Sequence, residues 1–187
     1  NVEDRTQSFL EMYNDAEVKA ILIARGGYGT VHTIDEIFPH LDGRKWVCGY
    51  SDVTVLLNAL TQLDVACIHS TMPISFPHAT HEALQNLHDA LFGTLHEFSW
   101  KATALSIGKA TGELVGGNLS VIYSQLGSKT QLQTKGKILF LEDVDEMLYH
   151  VDRMLMALSR AGLFDEITGL VLGGFTQMKD NTQAFGF

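Results

Sequence analysis

Ser51 is the residue whose type and setting first suggest covalent chemistry. It follows the apolar run KWVCG (45–49) and precedes a segment with helical spacing, in the order Gly49, Tyr50, Ser51, Asp52. A glycine two residues before a serine at a strand end allows a tight strand-to-helix turn that lifts the hydroxyl out of the sheet, as in the nucleophile elbow of hydrolases. The backbone N–H of Asp52 would then face the same space and could receive a developing oxyanion.

The spacing around Ser51 leaves a second interpretation open. The full elbow pattern is Gly-x-Ser-x-Gly, and Val53 stands where the second glycine belongs. Ser51 or Asp52 could instead cap the helix predicted over 53–60, because both side chains accept hydrogen bonds from the free N–H groups at a helix start. Taken alone, the spacing favours the cap.

The segment RGGYG (25–29) raises a parallel question one strand earlier. The glycine pair Gly26 and Gly27 permits close backbone approach and a nest of N–H groups, which suits a phosphate or an oxyanion. A tight turn with positive φ at one of the two glycines explains the pattern equally well. The segment is therefore either an anion site or a simple turn.

Carboxylates gather at the end of another apolar run, in LEDVDE (141–146). Glu142 ends the run, and Asp143, Asp145 and Glu146 crowd it with negative charge, which predicts raised carboxylate pKa values. These acids could instead complement the dipole of the helix predicted over about 145–160. A zinc site is not expected because His150 is the only nearby nitrogen or sulfur ligand, and we predict neither a metal nor a cofactor.

The fold class follows from apolar runs of strand length that alternate with segments of helical period. Their order predicts right-handed crossovers and an open, mostly parallel sheet. A Ser-, Thr- and Gly-rich stretch interrupts the pattern, so we predict a domain over 1–100, a linker over 101–117 and part of a second domain over 118–187. The predicted strands are 18–24, 45–49, 65–69, 136–144 and 167–175. Helical spacing also predicts a helix from Ile34 to Leu41 and another from about Thr80 to Phe92.

Composition excludes several function classes. The net charge is −9, with scattered Lys and Arg, so we expect no nucleic-acid partner. No apolar stretch approaches the roughly 20 residues that span a bilayer, so we expect no membrane association. The two cysteines predict reduced thiols in a cytoplasmic protein. The chain begins without methionine inside a predicted helix, which indicates a fragment of a longer protein.

Five collinear segments together resemble the LD-carboxypeptidases, the murein tetrapeptide carboxypeptidases of cell-wall recycling. The segments are ILIARGGYGT, WVCGYSDVTVLLNAL, IHSTMP, GELVGGNLS and GKILFLEDVDEMLYHVDRMLMALSRAGLF. The resemblance implies a flavodoxin-like domain joined to a smaller β-rich C-terminal domain, with the active site between them. It also implies a serine peptidase with a Ser-Glu-His triad, in which Ser51 is the nucleophile and Glu142 holds the histidine.

The resemblance extends to the substrate and the remaining groups. It implies release of D-alanine from a murein peptide by a homodimer, with the Asp52 N–H as one oxyanion donor. Geometry suggests Gly27, beside Gly26, as the second donor, and Glu146 as a partner for the ammonium of the substrate's diamino acid. The family's histidine follows the last strand present here, so we expect the base outside this chain and little activity from the 187 residues alone.

Two rival functions remain open. The microcin-immunity branch of the same family cleaves a peptidyl-nucleotide amide, and the acidic Glu146 disfavours a nucleotide phosphate only mildly. A non-catalytic flavodoxin-like module would instead use RGGYG to hold a phosphate.

Overall fold

The computed structural model describes residues 1–43, 45–95, 97 and 99–180, in which strands and helices alternate along the chain. The strands are β1 (Ala20–Leu22), β2 (Trp46–Gly49), β3 (Ile68–His69), β4 (Leu114–Asn118), β5 (Ile138–Val144) and β6 (Gly169–Thr176). The α-helices are α1 (Val2–Asn14), α2 (Ile34–Ile37), α3 (Thr54–Thr61), α4 (His81–Leu91), α5 (Leu119–Ser124) and α6 (Leu148–Arg160). No helix among these residues is long and apolar enough to cross a membrane.

The strands form two parallel sheets, in the orders β1-β2-β3 and β4-β5-β6. Parallel neighbours cannot be joined by a tight hairpin, so each connection crosses over, most often through a helix. The predicted α/β class with parallel sheets is confirmed. The second sheet, expected to belong to a β-rich unit, is wholly parallel over the described residues and has α5 and α6 between its strands.

Several predicted elements are shorter than the apolar patterns suggested. β3 has only two residues of the predicted strand 65–69. The helix expected from Ile34 to Leu41 ends at Ile37 and continues as a 3-10 turn over Phe38–His40. Pro39 explains this change, because proline offers no N–H for the next hydrogen bond of the helix.

The predicted linker 101–117 overlaps a strand. β4 begins at Leu114, whereas the described residues from 93 to 113 contain no helix or strand. The weak alternation of the stretch 96–120 predicts short strands but not their bounds, because Gly116 and Gly117 contribute no side chains to the pattern of β4. The division into two domains stays a prediction, and residues 181–187 of the predicted second domain lie outside the described residues.

Helix α3 joins the two halves of the molecule. All of its residues are buried, which is typical of a helix covered on every side. The backbone N–H of Asn118 donates to Thr54 Oγ1 at 3.2 Å, and Gln62 Nε2 donates to the Gln131 carbonyl at 2.6 Å. A Cβ on Gly117 would lie 2.7 Å from Thr54 Oγ1, so this approach requires glycine. The carboxyl ends of β2 and β4 are thereby held together.

Candidate active site

Ser51 lies at the carboxyl end of β2, in a 3-10 turn over Ser51–Val53 that leads into α3. Its φ of 62° is left-handed, and holding a non-glycine residue in such a sparsely populated conformation costs about 1 to 3 kcal/mol. A Cβ on Gly49 would lie 3.0 Å from Val53 Cγ1, so the strand end and the turn pack with no side chain between them. The tight strand-to-helix bend is present, with Ser51 at its apex.

The helix-cap interpretation is wrong. Neither the 3-10 turn nor α3 receives a side-chain cap, so neither Ser51 nor Asp52 performs that role. The Asp52 carboxylate instead accepts hydrogen bonds from the backbone N–H of Thr30 at 3.0 Å and from Thr30 Oγ1 at 2.7 Å. Thr30 directly follows RGGYG, so Asp52 ties the glycine turn to the serine bend. Local spacing could not reveal this partner, since it lies 22 residues away.

The glycine turn packs directly against the serine. A Cβ on Gly26 would lie 3.1 Å from Ser51 Cβ and 3.2 Å from Ser51 Oγ, closer than ordinary contact. Gly27 has a φ of 140°, the positive value that the tight-turn interpretation predicted at one of the two glycines. On the other side of the turn, Arg5 donates to the carbonyls of Tyr28 and Gly29 at 3.5 Å. The turn is therefore fixed beside the hydroxyl.

Glu142 lies near the carboxyl end of β5 and is half-buried. Its Oε1 is inaccessible to solvent and has no hydrogen-bond partner in the described part of the chain. Burial raises the pKa of Glu142, the charge of Asp143 adds to the rise, and the Asn118 side chain opposes it. The predicted rise in pKa is found at Glu142, with burial rather than crowding as its largest cause. An orphaned carboxylate oxygen in such a place calls for a donor.

The neighbouring acids have partners that the sequence did not suggest. Asp143 is buried and accepts from Asn118 Nδ2 at 3.0 Å and from the Ser120 N–H at 2.9 Å, at the start of α5. The dipole interpretation is wrong, because α6 begins at Leu148 and has no acid in its first turn. Within the described ranges, no cluster of acids, histidines and cysteines is placed to hold a metal ion.

Glu146 is already paired in this structure. Its Oε2 lies 2.7 Å from His150 Nδ1, one helical turn along the chain. The Tyr123 ring stands edge-on to that imidazole, with centroids 6.2 Å apart. An ammonium ligand would therefore share Glu146 with His150, and the role predicted for Glu146 stays a prediction.

Two routes of contact connect the serine bend with the glutamate strand. Through the backbone, Asn118 pairs with Glu142 in the β4–β5 register and donates to Thr54, three residues after Ser51. Through aromatic rings, Tyr50 faces His69 at 6.2 Å and His69 stands edge-on to Phe140 at 5.2 Å. Phe140 and Glu142 share a face of β5 because side chains alternate along a strand. Both routes place the carboxyl end of β2 close to the carboxyl end of β5.

None of the described histidines hydrogen-bonds Ser51 or Glu142. His69 comes nearest through the ring contacts above, and burial lowers its pKa. Beside it, a cavity of about 440 Å³ opens between the end of β3 and α4, lined among others by Tyr50, His69 and Leu87. A larger cavity of about 520 Å³ lies by α1 and includes no predicted site residue. We therefore place the candidate site beside the serine bend.

Comparisons with known proteins agree over both halves of the chain. Residues 1–70 match the family described as the LD-carboxypeptidase N-terminal domain, and residues 111–186 match the LD-carboxypeptidase C-terminal domain. A probable murein peptide carboxypeptidase of Bacillus subtilis (strain 168) is 37% identical over 183 residues, covering 92% of this chain and 57% of that protein. The murein tetrapeptide carboxypeptidase of Pseudomonas aeruginosa is 30% identical, covering 94% of this chain and 62% of that protein.

Solved structures give the same result. The crystal structure of a muramoyltetrapeptide carboxypeptidase from Oxalobacter formigenes superposes with a TM-score of 0.88 at 29% identity, covering 100% of this chain and 67% of that one. MccF in complex with glutamyl sulfamoyl guanosine superposes with a TM-score of 0.75 at 20% identity, covering 99% of this chain and 66% of that one, which shows a shared fold alone. The chain spans less than two thirds of the length of the curated relatives named above.

Proposed function

Because the chain belongs to the LD-carboxypeptidase family, we propose that the protein is a serine carboxypeptidase that releases terminal D-alanine from murein tetrapeptides, with Ser51 as its nucleophile. The single observation that carries the proposal is the left-handed backbone of Ser51, φ 62°, at a strand end beside a glycine turn. Strain of this size persists only where the surroundings impose it, and such sites are concentrated where chemistry occurs.

The N–H groups that stabilise the tetrahedral intermediate belong to Asp52 and Gly27 in this proposal. Support comes from Gly26, whose missing side chain lets the turn approach Ser51 Oγ, and from the Asp52–Thr30 hydrogen bonds that hold the two segments together. Donors fixed before the reaction cost no reorganisation when the charge develops.

Glu142 supplies the acceptor that orients the catalytic histidine. Its solvent-inaccessible Oε1 has no partner in the described residues, which supports an imidazole N–H as the missing donor. No described histidine meets this carboxylate, so we assign the base to a histidine of the full-length protein beyond these residues. Such an arrangement resembles other triads, in which the acid fixes the tautomer and stabilises the imidazolium.

The reaction then proceeds in two balanced steps. Ser51 Oγ attacks the carbonyl carbon while its proton passes to the histidine, and the same proton leaves on the amine of D-alanine as the C–N bond breaks. Water then attacks the acyl-enzyme, giving its proton to the histidine, and the Ser51–acyl bond breaks to restore the hydroxyl. General acid–base help and oxyanion stabilisation lower both barriers.

Substitution of the nucleophile in the full-length protein tests the proposal. Ser51→Ala should reduce D-alanine release from murein tetrapeptide by about a millionfold in kcat, as expected when one member of a triad is lost. Release is measured with a D-amino-acid oxidase coupled assay, and Ser120→Ala serves as a matched serine control. Undiminished release by Ser51→Ala would refute the assignment.

The two rival functions are tested on the same preparation. A fluorophosphonate probe should label Ser51, whereas tight nucleotide binding without labelling would support a non-catalytic module. Faster cleavage of a peptidyl-nucleotide amide than of tetrapeptide would support the microcin-immunity function. The likeness to MccF does not favour it, since at 20% identity it concerns the fold.

We also propose a cytoplasmic homodimer that acts on a diamino acid near Glu146. The free thiols Cys48 and Cys67 support a reducing compartment. Analytical ultracentrifugation of the full-length protein tests the homodimer, and a monomer at all concentrations would contradict it.

A further inference from the structure

A carboxypeptidase that releases a single residue must distinguish a chain end from the chain interior. The distinguishing group is the free carboxylate of the leaving residue, which lies close to the amide under attack. A cation beside the nucleophile can bind this group through charge-assisted hydrogen bonds.

Arg25 is exposed and lies in the glycine turn itself, directly before Gly26. Its Nε donates to the carbonyl of Gly26 at 3.2 Å, and its Nη2 lies 3.9 Å from the position that a Cβ on Gly27 would occupy. The guanidinium therefore lies alongside the turn, with Ser51 against the adjacent glycine. It forms no ion pair with any described residue.

Other cations near the site are engaged elsewhere. Arg5, which also contacts the turn, donates to the carbonyls of Tyr28 and Gly29. Beyond the carboxyl end of β5, Lys179 pairs with Asp145 at 2.6 Å. Arg25 thus differs from its neighbours, because most of its donors remain available to an anion.

We propose that Arg25 binds the terminal carboxylate of the leaving residue and so restricts the enzyme to chain ends; this inference rests on the function proposed above. The turn places the hydroxyl at Gly26 and the guanidinium at Gly27, in consecutive residues. A leaving group one residue long bridges that spacing when the oxygen of the scissile carbonyl, which belongs to the preceding residue of the substrate, lies on the turn's N–H groups. The planar guanidinium matches a carboxylate with paired N–H donors.

The test compares two substrates in the full-length enzyme, the tetrapeptide and its C-terminal carboxamide. Wild-type enzyme should prefer the free acid, and Arg25→Gln should lower kcat/KM for the acid by roughly tenfold to a hundredfold while leaving the carboxamide almost unchanged. Arg25→Lys should keep part of the preference, since it retains the charge but loses the paired donors.

Arg5→Gln is the matched control, because it removes a cation that touches the same turn without facing the leaving group. It should slow both substrates by the same factor. An equal loss of both substrates in Arg25→Gln would assign Arg25 to turn structure and overturn the inference, as would an unchanged acid preference. If wild-type enzyme releases neither D-alanine from the free acid nor D-alaninamide from the carboxamide, the proposed function itself is overturned and this inference with it.

Discussion

The carboxyl ends of the two sheets differ in whether their polar groups find hydrogen-bond partners among the described residues. At the end of β2, the backbone is strained at Ser51 and the surrounding polar groups are paired, with Asp52 bound to Thr30. At the end of β5, pairing with β4 stays in register through Glu142 while pairing with β6 shifts between Leu141 and Asp143. The Glu142 carboxylate keeps a solvent-inaccessible oxygen without a partner among the described residues. The described residues hold Ser51 in place by themselves, whereas Glu142 requires a hydrogen-bond donor.

The two strand ends therefore carry different unfavourable free energies, backbone strain at Ser51 and desolvation at Glu142. Strain at Ser51 is held by contacts that the described residues supply, notably Gly26 and Gly49. The cost at Glu142 is desolvation of a charged group, which a hydrogen bond from an imidazole would offset. The strain at Ser51 should persist whenever the residues around β2 fold. The desolvation cost at Glu142 should fall when a hydrogen-bond donor approaches the end of β5.

After loss of the nucleophile, the largest expected effect concerns the end of β5, where Glu142 lacks a donor. Glu142→Gln in the full-length protein should lower kcat for D-alanine release by about 10³- to 10⁴-fold, because an amide no longer stabilises the imidazolium. Steady-state kinetics measures kcat and KM, and Glu146→Gln is the comparison: it removes a carboxylate proposed to bind the substrate's ammonium, so it should raise KM and change kcat far less than Glu142→Gln does. Comparable losses in both variants would contradict the distinction between these two acids.

Besides Ser51, the first half of the chain carries two potential nucleophiles, the thiols of Cys48 and Cys67. Burial raises the pKa of the Cys48 thiol to about 11 and that of Cys67 to about 12. At pH 8 each thiolate fraction is then below about one in a thousand, so iodoacetamide should alkylate the folded protein over a hundredfold more slowly than the unfolded chain. The rate should rise with pH toward 11. Rapid alkylation at pH 8, followed by mass spectrometry, would show that these thiols are not shielded.

A smaller effect should follow from removing the Asp52–Thr30 hydrogen bonds, which connect the serine bend with the glycine turn. Asp52→Ala keeps the backbone N–H but releases Thr30, so the glycine turn shifts and kcat should fall about tenfold to a hundredfold with little change in KM. Asp52→Asn, which keeps one acceptor oxygen, should recover part of the loss. An Asp52→Ala enzyme with normal kcat would mean that the turn holds its place without this carboxylate.

The smallest effect isolates backbone strain from chemistry. Ser51→Gly and Ser51→Ala both remove the hydroxyl, but only glycine adopts a φ of 62° without steric cost. Ser51→Gly should therefore be more stable than Ser51→Ala by about 1 kcal/mol in chemical denaturation. Equal stabilities would indicate that the left-handed backbone carries no strain.

Much of the fold could be predicted because apolar periodicity records burial directly. Continuous apolar runs gave β2 and β5, and helical spacing gave α4 and α6 close to their observed bounds. β4 was expected only as one of several short strands without bounds, since Gly116 and Gly117 remove the side chains that make a strand recognisable. Pairing between β4 and β5 is decided by backbone hydrogen bonds, which leave little trace in composition.

The candidate site was likewise predictable only in part. Gly49 before Ser51 indicated a sharp bend, and an acidic group after an apolar run indicated a carboxylate of raised pKa at Glu142. The Asp52–Thr30 hydrogen bonds, the Glu146–His150 pair and the seating of Gly26 on Ser51 join residues whose spacing carries no signal. The cap and dipole interpretations failed for this reason, because each assumed a partner nearby in the chain.

The amino-acid sequence by itself determined the α/β class, the family, and the residue types that stand at the strand ends, because local periodicity and short motifs are properties of neighbouring residues. Only the tertiary structure decided that the serine is strained, that one glutamate oxygen is left without a donor, and that an arginine of the glycine turn keeps its charge unpaired. Strain, desolvation and pairing depend on which distant atoms come together, and packing alone fixes that.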